Sequence, residues 1–402
     1  MADEPRASAR ELIRAPEPDY AVPPGESLRE RLAELHMSQA EFARRTGLTT
    51  KHVNQVMQGV ASLSAEVAQR LEYPTGTPSW WWLRLEADYR DALTRLSQRE
   101  ALAADVAWVD SMPVRELLRQ GVLPDEPKDK VSRLQQLLAF FGVASVDAYE
   151  AVWGTPAAAF RQSAAYEVNP AAVAAWLRLG ELAAGDLDIA PFAEHKLRAL
   201  LPELRGLSRQ PVREALRALT GLCASVGVAI VFTPEVTGAR AYGATRWLNG
   251  RLPLVQLSLR GRTDQTLWET VLHELGHVLL HGRRALFIES DDGSPSGESG
   301  VQEEEAAAFA RDTLIPPESR ERVAALRTIE DAVTFAEETG ISAGLVAGYL
   351  QASGQWSHSQ GNQLKRRIDD TDLPAWDEDI TEASHSPRRA RRLRYKLPGE
   401  PS

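Results

Sequence analysis

Three side chains that can do metal chemistry stand together in the segment VLHELGHVLLHG. His273 and His277 are four residues apart, so on a helix they lie on one face about one turn apart and can hold one tetrahedral metal. Glu274 lies between them. In this H-E-x-x-H arrangement the carboxylate is not a ligand but a general base that takes a proton from water. The pattern predicts a zinc hydrolase. The alternative, a helix with two histidines by chance, is disfavoured because ionisable groups in this apolar surrounding need partners.

A catalytic zinc needs a third protein ligand. His281 is the first candidate, but on a continuous helix it lies roughly 12 Å along the axis from His273. We therefore interpret His281 as a structural or supporting residue. A carboxylate from a later helix is the better donor, because VQEEEAAAFARDTLIP offers three in succession, which are Glu303, Glu304 and Glu305. Their spacing does not choose among them, since each is turned about 100° from the next.

The elements that must position these residues are strands and helices in alternation, which predicts an α+β domain. The segment VGVAIVF near Val226 is typical of a buried strand, and PLVQLSL alternates after the turn at Asn249-Gly250. A long helix around Leu267 to His281, a strand from Ala285 to Ile288, a helix from about Gln302 to Leu314 and further helix to about Leu350 follow. Leu254 to Ser258 is either a sheet edge that takes a substrate strand or an ordinary strand. Arg240, Tyr242 and Arg246 lie near the sheet in sequence, and none is assigned to oxyanion stabilisation.

A second pattern, MSQAEFARRTGLTTKHVNQVMQGVASLS, predicts a helix-turn-helix. Ser38 and Thr49 can cap its two helices, and Gly47 supplies the turn between them. The second helix is polar outward at residues whose side chains suit base edges in the major groove, which are Thr50, Lys51, His52, Asn54 and Gln55. The alternative is a plain helical hairpin. Acidic and basic residues balance between positions 26 and 95, so DNA affinity should be modest and salt-sensitive and should need a homodimer to reach two half-sites.

Composition limits the remaining possibilities. The 402 residues carry a net charge of −10, which argues against non-specific nucleic-acid binding by the whole chain. The single cysteine, Cys223, cannot form an internal disulfide, and the N-terminal residues lack the apolar core of a signal peptide, so we expect a cytoplasmic protein. No run approaches 18 consecutive apolar residues, so we expect no membrane span.

The same features divide the chain. The predicted regions are a flexible leader (1–25), a helix-turn-helix domain (26–96), a helical middle (97–206), the domain with the zinc signature (207–350) and a charged, largely disordered tail (351–402). The tail holds an acidic run followed by a basic run, which is either a solvated segment or a source of extra phosphate contacts beside the DNA-binding module.

HELGHVLLHG, followed by EEEAAAFARDTLIP, resembles the ImmA/IrrE family of zinc metallo-endopeptidases. The resemblance implies that Glu303 completes the zinc shell and that Glu305 is the second glutamate of the family's pattern. Ala307 stands where the family usually has Asn, and Thr313-Leu314-Ile315-Pro316 replaces Leu-Leu-Met-Pro. The lost amide could weaken a hydrogen bond around the metal ligands.

Residues 37–64 resemble the XRE-type DNA-binding domain, and with SLSAEVAQRLEYPTGTPSWWWLRLEADYRDAL following they look most like the HigA-type antitoxins. By that match Gln39 and Gln58 contact phosphate, while Thr50, Lys51 and Gln55 face bases. The two resemblances together imply a DNA-binding regulator fused to a zinc endopeptidase that cleaves one intracellular protein, such as a repressor or a toxin–antitoxin component. The alternative is a non-proteolytic HigA-like antitoxin or autorepressor whose zinc site is structural or binds a partner; the intact Glu274 counts against it.

Overall fold

The structure of the protein, a computed structural model, describes residues 20–126, 128–154, 168–185, 187–258, 260–282, 286–290, 298–369 and 372. The predicted leader lies mostly outside these residues, as does the charged tail beyond position 372. The described residues form two compact units, of which the first comprises those up to 111 and those of 122–139, and the second those of 112–121 and those from 140 onward.

The first unit is a set of short helices. Its elements are α1 (Pro24–Glu34), α2 (Gln39–Thr46), α3 (Thr50–Met57), α4 (Ala65–Thr75), α5 (Ser79–Leu102), a 3-10 helix (Ala103–Ser111) and most of α7 (Lys130–Phe141). Helix α1 begins at Pro24, inside the segment predicted as leader.

The predicted capping residues of the helix-turn-helix are confirmed. The Ser38 side chain accepts a hydrogen bond from the Glu41 amide, and Thr49 accepts one from the His52 amide. Gly47 ends α2 with φ 69°, in the left-handed region that favours glycine. Below the helices lies a core that includes Phe42, Val53 and Trp82, each at most 1% exposed.

The second unit holds the remaining elements. Its helices are α6 (Val114–Arg119), α8 (Val146–Tyr149) with a π-helical turn (Glu150–Gly154), α9 (Pro170–Gly185), α10 (Glu194–Gly206), α11 (Val212–Ser225), α12 (Asp264–Leu280), α13 (Glu298–Leu314), α14 (Arg320–Ala324), α15 (Ile329–Thr339) and α16 (Ala343–Ala352), and short 3-10 turns follow α10, α13 and α16. Its strands are β1 (Ala229–Phe232), β2 (Ala241–Leu248), β3 (Leu252–Leu257) and β4 (Phe287–Ser290). The predicted α+β class is confirmed.

The four strands form one sheet in the order β1-β3-β2-β4. β1 and β3 are parallel, whereas β2 runs antiparallel to both β3 and β4. Of the two alternatives for Leu254 to Ser258, the structure shows the ordinary strand and not the sheet edge, because β3 is paired on both sides. Strand β2 was not among the predicted strands, although β2 pairs with β3 across the predicted turn at Asn249-Gly250.

A continuous apolar core lies under α12. Trp268, Val271 and Leu275 of this helix are buried with residues of α11, β1, β3 and α15–α16. Residues 353–369 fall in the segment predicted as a disordered tail, but the structure packs them on this unit. Ile368 is 1% exposed, and Arg366 pairs with the buried Asp264 at 2.8 Å. Hydrophobic burial and this ion pair therefore order the chain beyond α16.

One described segment, Lys130–Gly154, is long and apolar enough by length and composition to cross a membrane. This is weak evidence, because the core helices of water-exposed domains pass the same test. The segment also carries Arg133, whose guanidinium donates a hydrogen bond to Gln136 at 2.7 Å, and the chain breaks the helix at Gly142 with φ 67°. It does not indicate a membrane protein.

Candidate functional site

Helix α12 carries both histidines and the glutamate on its buried side. The helix packs against β2 and β3 on one side and against α13 on the other. Glu274 is 0% exposed, His277 1% and His273 8%. Three ionisable groups are thus held away from water in the middle of a core, which is a costly arrangement unless they have charged or metal partners.

The two imidazoles meet a carboxylate of α13. The Nε2 atoms of His273 and His277 lie 3.0 Å apart. Glu303 Oε2 lies 2.9 Å from His273 Nε2 and 3.4 Å from His277 Nε2. Atoms bound to one tetrahedral metal at about 2.0–2.1 Å lie about 3.3 Å from one another. Among the described residues, His273, His277 and Glu303 could therefore hold a metal ion, with one ligand atom from each side chain. We call these three residues the metal group.

The protonation states of the group suit a metal. Burial lowers the pKa of the His277 imidazole and outweighs the Glu303 carboxylate, which raises it. Burial raises the pKa of the Glu303 carboxyl, but its interactions with His273 and His277 outweigh burial and lower this pKa to about 2. A neutral imidazole and an ionised carboxylate are the forms that donate lone pairs to a metal.

Glu274 points to the sheet, where β2 receives it. The Thr245 hydroxyl donates a hydrogen bond to Glu274 Oε2 at 2.6 Å. Gly243, two residues earlier on the same face of β2, leaves room for the carboxylate, since a Cβ there would lie 2.5 Å from Glu274 Oε1. Neither residue was singled out by the sequence analysis. The signal that could have found them is the strand that must precede the Asn249-Gly250 hairpin turn.

We predict that Gly243→Ala destabilises the second unit by about 1–3 kcal/mol, because the added Cβ overlaps the Glu274 carboxylate and Thr270 in a packed core. The matched control is Gly221→Ala in α11, where a Cβ meets no atom within 4 Å and the helix should gain up to about 1 kcal/mol. The free energy of unfolding, measured in urea, compares the two variants. Equal stabilities would contradict the close packing of β2 on Glu274.

His281 lies beside the metal group. Helix α12 ends at Leu280, and His281 caps it in an extended conformation (φ −115°, ψ 164°). The continuous helix assumed in the sequence analysis therefore does not exist at this residue. Its Nδ1 lies 2.9 Å from Nδ1 of His277, and its Nε2 lies 3.0 Å from Glu305 Oε2. His281 contacts a member of the metal group without joining that group.

The structure separates the three consecutive glutamates of α13. Glu303 points to the histidines, Glu305 points to His281, and Glu304 is exposed. On the sheet, Arg246 is half-buried and donates a hydrogen bond to the Leu177 carbonyl at 2.6 Å. Arg246 therefore faces α9, on the side of the sheet opposite to Thr245, and burial lowers the pKa of its guanidinium to about 10.

The residues predicted to contact DNA lie together on the surface of the first unit. Helix α3 buries Val53, Val56 and Met57. Its opposite side is exposed, as is the start of α2; the predicted DNA-facing residues found there are Gln39, Thr50, Lys51, Asn54 and Gln58, and Gln55 is half-buried. The amphipathic division of α3 leaves a polar helix face free to enter a groove.

The chain matches two family models. Residues 28–77 match the model described as helix-turn-helix, and residues 230–350 match the model described as IrrE N-terminal-like domain. The second match spans the sheet, α12 and α13, and so includes every member of the metal group. No curated protein matches the chain closely enough to count as a relative.

Three solved structures resemble part of the chain. A Pseudomonas aeruginosa protein solved in complex with its operator DNA is 32% identical over 19% of this chain and 82% of its own, with a TM-score of 0.18. Pseudomonas aeruginosa antitoxin HigA, solved with the higBA promoter, is 29% identical over 20% of this chain and 90% of its own, with a TM-score of 0.20. An addiction module antidote protein of the HigA family from Coxiella burnetii is 28% identical over 21% and 92%, with a TM-score of 0.20.

These TM-scores are too low to bear on the fold, so the two family models carry the assignment. The chain therefore combines an XRE-type helix-turn-helix domain near its N-terminal end with a domain of the IrrE/ImmA-like peptidase family M78 toward its C-terminal end.

Proposed function

We propose that this protein is a DNA-binding regulator whose second domain is a zinc-dependent endopeptidase acting on one intracellular protein partner. The observation that carries the proposal is the convergence of two imidazole Nε2 atoms and the Glu303 carboxylate within 3.4 Å, next to a buried glutamate on the same helix. The partner would be a repressor or a toxin–antitoxin component. Because the protein would bind operator DNA, we propose that it acts in the cytoplasm.

The donor set fits zinc. Two nitrogens and one carboxylate oxygen from three side chains are typical of catalytic zinc sites that leave a position open. His273, His277 and Glu303 would hold the ion. When bound, zinc would supply Lewis-acid chemistry to a peptide carbonyl and to water.

The chain itself would supply proton transfer. Glu274 is held between α12 and β2, so its carboxylate can act from a fixed position. Its carboxylate oxygen would take a proton from water as the water oxygen bonds to the carbonyl carbon. It would then pass this proton to the nitrogen of the leaving amine as the carbon–nitrogen bond breaks. Burial of the site would exclude water molecules other than the reacting one from this carboxylate.

The substrate strand is proposed to pair with β4. Among the described strands, β4 is the edge next to the histidines, because Phe287 stacks on the His277 ring with centroids 4.0 Å apart. A peptide added beside β4 would lie along the metal group, with affinity from backbone hydrogen bonds. The edge at β4 takes the place of Leu254 to Ser258, which the sequence left open as a candidate edge.

A metal-removal experiment tests the peptidase proposal. Full-length protein is loaded with zinc and incubated with the product of the neighbouring gene, and cleavage is followed by mass spectrometry. We expect one defined cut that a chelator abolishes and added zinc restores. Cleavage that persists in chelator, or a wild-type protein that binds no zinc, would overturn the proposal.

We propose that the first domain binds an operator as a homodimer and that α3 makes the contacts with DNA. Gln55 would face bases, whereas Gln39 and Gln58 would contact phosphates. We expect Gln55→Ala to reduce discrimination against a mutated operator by about 1–3 kcal/mol. Gln39→Ala should weaken binding to all sequences alike. Binding to DNA selected from a random pool measures both, and Gln98→Ala is the control, because Gln98 is an exposed glutamine on α5. Equal effects of all three variants would contradict the assignment of α3 to base contacts.

A non-proteolytic HigA-like antitoxin or autorepressor is the second candidate function, favoured by the resemblance of the N-terminal residues to HigA-type antitoxins. In that case the metal group would be structural or would bind a partner. The experiment above separates the two, since the second candidate predicts operator binding with no cleavage of any partner.

A further inference from the structure

A chain of three side chains leads from the metal group to the protein surface. His277 Nδ1 lies 2.9 Å from His281 Nδ1, and His281 Nε2 lies 3.0 Å from Glu305 Oε2. The His281 side chain is 3% exposed, whereas that of Glu305 is 55% exposed. Phe287 lies against both rings, at 4.0 Å from His277 and 5.1 Å from His281 between centroids.

The hydrogen bonds fix which ring nitrogens carry protons. The Glu305 carboxylate oxygen accepts in this contact, so His281 donates from Nε2. With Nε2 as its donor, His281 presents Nδ1 as an acceptor to His277, whose Nδ1 donates the second hydrogen bond. His277 consequently carries its proton on Nδ1, and its Nε2 lone pair points to His273 and Glu303. Glu305 therefore sets the direction of donation along this chain of hydrogen bonds.

The opposite direction of the hydrogen bond between His277 and His281 would prevent His277 from binding a metal. If His281 donated from Nδ1, His277 would have to carry its proton on Nε2, between the Nε2 of His273 and the Glu303 carboxylate. A protonated nitrogen cannot ligate a metal. The energetic difference between the two tautomers is therefore coupled to metal affinity.

We propose that His281 and Glu305 form a positioning dyad that holds His277 in its metal-binding tautomer and ring orientation. The inference rests on the proposed metal site and deepens it, because it assigns a role to two side chains outside the ligand set. His281 also limits rotation of the His277 ring, which Phe287 already stacks on one face. Outer residues of this kind set metal affinity and activity by about 10- to 100-fold in other metal sites.

The variants are chosen to separate positioning from folding. His281→Phe keeps a ring but removes both nitrogens. His281→Asn keeps an acceptor near the place of Nδ1 but does not reach Glu305. Glu305→Gln can present its amide NH₂ to His281 and so removes the fixed direction. Glu304→Gln is the matched control, since Glu304 is the exposed neighbour on the same helix.

The readout is the zinc dissociation constant of the full-length protein, measured in competition with a chromophoric chelator. We expect His281→Phe to weaken zinc binding about 10- to 100-fold. His281→Asn should recover part of this loss, and Glu305→Gln should lose less than His281→Phe because Glu305 is more than half exposed. Glu304→Gln should match the wild type.

A double-variant cycle tests whether Glu305 acts through His281. The combined His281→Phe and Glu305→Gln variant should bind zinc no more weakly than His281→Phe alone, since the second change removes a contact that is already lost. Independent, additive losses would overturn the dyad. Thermal unfolding of the metal-free variants detects any general loss of structure, and Glu305→Gln keeps the test open if the His281 variants do not fold.

The outcomes also distinguish this inference from the proposed function. A wild-type protein that binds no zinc defeats the proposed function. A wild-type protein that binds zinc, with unchanged affinity in folded His281→Phe, defeats only the positioning dyad.

Discussion

Glu274→Gln is expected to lower the rate of partner cleavage by about 10²- to 10⁴-fold, which is the range that a positioned general base contributes. The amide is nearly the same size as the carboxylate, and its oxygen can still accept the hydrogen bond from the Thr245 hydroxyl. What it loses is the capacity to take a proton from water. Because Glu274 is not among the members of the metal group, zinc affinity should stay close to that of the wild type.

The measurement is the initial cleavage rate at saturating zinc, together with the zinc content of both proteins. Glu269→Gln is a suitable control, since Glu269 lies on the same helix but outside the metal group. A Glu274→Gln protein that cleaves at the wild-type rate would remove Glu274 from the chemistry. A variant that loses its zinc would instead show that the residue supports the metal site.

Glu303→Ala is expected to weaken zinc binding by more than the 10- to 100-fold typical of residues that only support ligands. The variant removes the carboxylate that lies within 3.4 Å of both histidine Nε2 atoms. Alanine is the best helix former, so α13 itself should not be weakened by loss of helix propensity. The two imidazoles that remain are too few for a stable catalytic site.

Glu304→Ala is the matched control, because it makes the same chemical change one residue along α13 at an exposed side chain. We expect it to keep wild-type zinc affinity. The dissociation constants come from the same chelator competition, and operator binding by both variants shows that the first domain is intact. Equal zinc affinities of the two variants would contradict the place of Glu303 in the metal group.

Much of the secondary structure could be predicted because its signals are local. Helix α12 was predicted from about Leu267 to His281 and spans Asp264–Leu280, and α13 was predicted from about Gln302 and begins at Glu298. The two caps of the helix-turn-helix are set by residues three positions apart. Hydrophobic period and capping chemistry act over a few residues, so the sequence expresses them directly.

The sheet was harder to predict because pairing is not local. Strand β2 was missed, since its burial does not alternate regularly and its two neighbours come from later in the chain. The order β1-β3-β2-β4 places β3 inside the sheet, which the composition of PLVQLSL does not reveal. An internal strand and an edge strand differ in their neighbours more than in their residues.

The site shows the same division. Two histidines four residues apart with a glutamate between them follow from the period of one helix, and the sequence alone placed them on one face. Periodicity alone left three glutamates open, and the family resemblance selected Glu303. The structure aims Glu303 at the histidines because of the way α13 packs on α12.

The sequence by itself determined the residue types for the metal group, the helix that carries His273, Glu274 and His277, and the helix-turn-helix with its caps. Only the tertiary structure decided that α12 stops before His281, that Glu305 reaches that ring, and that Gly243 and Thr245 receive Glu274. The physical reason is range. Helix period and capping depend on neighbours within one or two turns, whereas the meeting of side chains from different elements depends on how the whole core packs.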